Sequence, residues 1–162
     1  MLIVALLLWQ TVAAPPKPLA DPDAYAVYAA VLPSNWLVRT AHASPLVIQD
    51  TTEIGDHQSS HCYPNGQDLN SGAWEQALED FKTRNAQPLA LLSQFTLDRP
   101  YELVPRDDLS GLFKTGVGGG WENFNAAYPG ATGYIQLSAV GFDRDKTRAI
   151  VYVAHHCGGL CG

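Results

Sequence analysis

The sequence predicts an α+β domain, with N-terminal helices packed on a C-terminal antiparallel sheet, on three observations. Apolar residues recur at helical spacing early in the chain, as in Ala24, Val27, Tyr28, Val31 and Leu32, and again in Trp74, Ala77, Leu78 and Phe81. Alternation of period two appears only late, with Ile135 and Leu137 on one run and Ala149, Val151 and Val153 on the next. Asp143 to Lys146 lies between those runs and has the composition of a tight turn.

Each element then follows in order. "PPKPLA" (15–20) reads as an extended linker, because each proline fixes its own backbone and restricts the residue before it. Asp21 offers an N-cap with Pro22 at the first helical position, and Pro33 stops the helix that follows. "SPLVIQDTT" (44–52) is a compact, apolar and partly β-branched run and predicts a strand. Residues 53–71 are polar and rich in turn formers, so a surface loop is expected there. The Trp74 helix turns Glu75, Glu79, Asp80 and Lys82 outward. Periodicity does not decide 89–104, which fits one helical turn and two short extended pieces. "RDDLSGLF" predicts a brief helix with acids in its first turn, where they suit the helix dipole. "GVGGGW" (116–121) reads as a flexible loop: Trp121 takes the place of the last glycine of a dinucleotide fingerprint, and no strand leads into it.

Composition narrows the function classes. A chain of 162 residues, 46% apolar and 16% charged, suits one folded domain with a buried core. Ten basic against sixteen acidic residues give a formal charge of −6. That balance argues against nucleic-acid binding, which needs clustered Lys and Arg. Leu2 to Trp9 is an apolar run of signal-peptide length, too short to span a bilayer, and Val12-Ala13-Ala14 supplies small residues for cleavage. The expected organisation is therefore a signal peptide at 1–14, the linker at 15–20 and a single domain at 21–162. The mature chain is expected to be exported, periplasmic or secreted, with no transmembrane segment.

"WENFNAAYPGATGYIQLSAVGFDRDKTRAIVYVAHHCGGLCG" (121–162) resembles a segment of a family of exported bacterial proteins of uncharacterised function. The matching elements are the aromatic "W-x-x-F…YPG" run (121–130), the "LS-x-VGF" strand (137–142), the "VYV" strand (151–153) and the "CG-x-LCG" corner (157–162). The likeness is specific over these last forty or so residues and looser over about ninety. It implies further strands after the cysteine corner, so that Gly162 is expected to end a fragment. It carries no catalytic residue, cofactor or partner.

The remaining candidates come from chemistry. Cys62, Cys157 and Cys161 cannot all pair within one chain, and export favours oxidation. Cys157 with Cys161 is the preferred bridge, with Gly158 and Gly159 allowing the bend; Cys62 with either is the alternative. His57, His61, His155 and His156 supply donors for zinc, but adjacent His155 and His156 should face opposite sides of a strand, so no metal or other cofactor is expected. A Cys-His nucleophile is disfavoured by a second cysteine four residues away, and Ser138 lacks a nucleophile elbow. Trp121, Phe124 and Tyr128 are expected to fill core; if exposed, they would suit a sugar or a peptide. The function expected is a binding or envelope-associated module. The alternative is a hydrolase-type enzyme or a zinc protein built on the His57–Cys62 loop and the His155–Cys161 corner.

Overall fold

"LVIQ" forms strand β2 (Leu46–Gln49), and all four of its side chains are buried. A strand buried on both faces belongs inside a sheet with parallel neighbours, and β2 has two. The computed structural model describes residues 14–33, 45–54, 72–114 and 119–158. Around β2 it arranges β4 (Tyr101–Val104) and β5 (Tyr134–Leu137), both parallel to it, and then β8 (Val153–His156), antiparallel to β5. The four-stranded order is β4-β2-β5-β8. The α+β class is therefore observed, but the sheet is mixed and is not a C-terminal antiparallel one. A continuous apolar run leaves no period-two signature, and "YELV" is too short to announce a partner.

Register assigns each side chain to a face. Val47 and Gln49 share theirs with Glu102 and Val104, with Tyr134 and Gln136, and with Ala154 and His156. Leu46, Ile48, Ile135, Leu137 and His155 lie on the other. Helix α1 (Pro22–Val31) covers this second face through Ala24, Tyr25 and Tyr28, joined by Leu91 and Phe95. Asp21 caps it as expected, accepting from the Asp23 N–H. The first face is covered by α3 (Arg106–Phe113) and α4 (Gly119–Ala127), which bury Leu109 and Phe124 against Val47 and Val104.

Helix α4 departs from the expected loop. Residues 116–118 of that expected loop lie outside the described residues, while Gly119 and Gly120, poor helix formers, open the helix, and Trp121, Phe124 and Tyr128 are spaced to lie along one side of it. Phe124 is fully buried, and Trp121 makes ring contacts with Phe113, Phe124 and Tyr134, so these aromatics fill core. Residues 89–104 hold β3 (Leu89–Ala90) and β4 with no helical turn between them. The 15–20 segment is held to the domain. Within it β1 (Lys17–Pro18) runs parallel to β3, and Leu19 is buried in the core.

The late hairpin is bent by a bulge. Leu137 faces Val153, but beyond it β6 (Gly141–Phe142) pairs with β7 (Ala149–Ile150) so that Gly141 faces Ile150. Three residues, 138–140, thus stand opposite two, 151–152. The extra residue exposes backbone groups that need other partners. The Ser138 hydroxyl accepts the Tyr152 N–H at 2.8 Å, and the Tyr28 hydroxyl donates to the Ser138 carbonyl at 2.8 Å. Asn85, at the C-cap of α2 (Glu75–Arg84), accepts the Ala139 N–H at 2.8 Å and donates to the Ala139 carbonyl at 3.1 Å. Every one of these groups is buried or half-buried, so the bulge is a fixed feature of the fold.

Candidate functional site

The polar ends of β2, β5 and β8 meet on the face that carries α3 and α4. Gln49 is buried at the end of β2, and four residues on the Glu53 backbone N–H donates to the Leu137 carbonyl at 2.8 Å. This brings the Glu53 carboxylate over the sheet face, where one oxygen accepts from Gln49 Nε2 at 2.9 Å and from Gln136 Nε2 at 2.8 Å. Gln136 Nε2 also donates to Gln49 Oε1 at 3.0 Å, and Gln49 Nε2 donates to the Thr51 carbonyl at 2.9 Å. The other Glu53 oxygen takes Arg106 at 3.3 Å. Arg106 is placed there because the Asp50 carboxylate accepts its backbone N–H at 3.1 Å and so anchors the start of α3.

These bonds fix a direction. Both glutamine amides spend their N–H groups on Glu53 and on carbonyl oxygens, so Gln136 turns its own carbonyl toward His156, whose Nε2 lies 2.5 Å away. His156 Nε2 must then carry the proton, which leaves the Nδ1 lone pair as an acceptor. Tyr134 stacks flat on the imidazole, with centroids 4.7 Å apart and planes 16° apart. Gly133, at φ +141°, permits the close backbone approach: a side chain there would strike the His156 carbonyl and Cys157. The product is a line from Arg106 through Glu53 and the two glutamines to a half-buried histidine.

His155 and His156 do point to opposite faces, since they pair with Ile135 and Tyr134 in turn. Burial lowers the pKa of both; the charge on His156 adds to the effect at His155, and that on Glu53 opposes it at His156. Their neutral forms therefore favour the fold. The unfolded chain binds more protons below about 6.5, the ordinary histidine value, so stability is full above that pH and falls as pH drops through it. Asp21 belongs to a lower window: burial opposes its ionisation, but the Arg84 hydrogen bond and charge outweigh it and hold it below 3.8. The urea midpoint should thus decline between pH 7.5 and 5, and a His155→Gln/His156→Gln variant should lose part of that slope. An unchanged slope in the variant would contradict the burial of the two imidazoles.

His57, His61, Cys62 and Cys161 lie outside the described residues. Cys157 is half-buried just after the end of β8. Among the described residues, no group of three or more His, Cys, Asp or Glu side chains gathers as metal ligands would. Nor is any described helix long and apolar enough to cross a membrane.

Sequence reasoning found His156 but missed Gln49, Glu53, Arg106 and Gln136. The signal available was a glutamine inside each of two apolar strands, "LVIQ" and "YIQL", because a buried amide requires partners. No family model matches the chain, and neither does any curated protein or solved structure.

Proposed function

We propose that the chain is an exported, soluble domain that acts by binding, as an extracytoplasmic or envelope-associated module, with the His156 edge of the sheet as its recognition surface. The observation that carries this reading is the fixed direction of the polar line: Gln136 holds His156 Nε2–H, so Nδ1 is presented as a preoriented acceptor beside the Tyr134 ring. A preoriented polar group on an apolar, aromatic background is the chemistry that selects a polar ligand with an N–H or O–H donor, such as a peptide or a sugar. Export rests on the apolar start of the chain and on its resemblance to exported bacterial proteins. In that setting Cys157 pairs with Cys161 and closes the corner after β8.

The test is an NMR titration of the full chain with two probes, a soluble muropeptide and chitotriose. Saturable shifts at His156 and at the Gln136 side-chain amide, lost in His156→Ala, support the reading. Shifts scattered over the surface, or none with either probe, count against it. A hydrolase is the second reading, since an imidazole held at Nε2–H with Nδ1 open is also the form of a general base. Ester or amide hydrolysis abolished by His156→Gln would favour it.

A further inference from the structure

We infer that Arg99 anchors a binding site for a small oxyanion, a carboxylate or phosphate group, separate from the His156 line. The Arg99 side chain is only 4% exposed, and its Nε and Nη1 are buried with no hydrogen-bond partner. A guanidinium does not deprotonate in a protein, so this is a positive charge taken out of water with three N–H groups on two nitrogens unspent. Such a group is stable only where a compensating charge accepts those donors.

Among the described residues, Asp98 supplies a charge within ion-pair range but no acceptor at hydrogen-bonding distance. The nearest carboxylate, Asp98, lies 3.7 Å from Nε, beyond hydrogen-bonding distance, and is itself 56% exposed and open to screening by water. The adjacent Pro100 carbonyl is already engaged by the Leu46 N–H at 3.0 Å. Arg99 immediately precedes the Pro100–Tyr101 entry into β4, an outer strand of the four-stranded order. An oxyanion fits because it brings charge and acceptor lone pairs together and can take more than one N–H from a delocalised guanidinium. The acidic balance of the chain, −6, makes a retained buried cation more conspicuous still.

The test uses the whole chain and the Nε–H NMR signals of its arginines, titrated with sodium acetate and with sodium phosphate against sodium chloride at constant ionic strength. Arg99→Lys identifies the Arg99 signal by its loss, and the titration itself needs only wild-type protein. The expected result is a saturable shift of the Arg99 signal with acetate or phosphate but not chloride, the other arginine signals staying in place. Acetate without phosphate would point to a carboxylate ligand, phosphate without acetate to a phosphorylated one. An Arg99 signal unmoved by both ions would overturn the inference. So would a parallel drift of all arginine signals, which marks non-specific association.

Discussion

A Gly141→Ala variant is expected to lose about 3 kcal/mol of stability, at the upper end of overpacking costs, because the added methyl group meets backbone that cannot move aside. It would lie 2.5 Å from the Ala77 carbonyl oxygen and from Phe81 Cα, on the side of α2 that rests on β6. Ala77 and Phe81 are both buried, so α2 must shift bodily to accept the methyl group. That shift would carry Asn85 with it and strain the bulge. Urea unfolding should show the loss as a lower midpoint with little change in slope. A loss below about 1 kcal/mol would mean that α2 and β6 are not so closely packed.

Asn85→Leu is the second large effect, expected to cost roughly 2 kcal/mol, since it orphans the buried Ala139 N–H at about 1–3 kcal/mol and leaves the Ala139 carbonyl with the Ser138 hydroxyl, 2.9 Å away, as its remaining partner. It also removes the Nδ2 hydrogen bond to the Phe81 carbonyl, 2.8 Å long, at the end of α2. The contrast is Tyr28→Phe, which deletes one hydroxyl bond to the Ser138 carbonyl and should cost about 1 kcal/mol. Both variants should be measured by chemical denaturation at one pH above 7, where the histidines contribute fully. Equal costs for the two would show that Asn85 is not the principal lock. The bulge matters for the site because a one-residue slip in pairing turns every side chain of a strand to the opposite face. Three residues against two between Leu137 and Gly141 is the arrangement that pairs β6 with β7 while leaving His156 on the face of Gln136.

The local elements with strong signals were legible from residues alone. Asp21-Pro22 marked the start of α1, and "RDDLSGLF" coincided with α3. The turn after Phe142 sits where its composition placed it, with Asp143 accepting from the Thr147 and Arg148 N–H groups. What stayed hidden was non-local. The pairing of β2 with β4 and β5 depends on strands separated by long stretches of chain, and no periodicity encodes which buried strand lies beside which. The same holds for the polar line, whose members Gln49, Glu53, Arg106 and Gln136 come from separate parts of the chain and have no motif spacing. Histidines and cysteines attract notice by chemistry, whereas a glutamine becomes significant only once the fold has buried it.

The direction of that line is open to one measurement, the tautomer of His156 read from its imidazole nitrogen NMR signals at a pH above 7. The structure requires a single Nε2–H tautomer in the wild-type protein, and a mixture of tautomers once Gln136→Leu removes the acceptor. An Nδ1–H tautomer in the wild type, or an Nε2–H tautomer that survives Gln136→Leu unchanged, would contradict it.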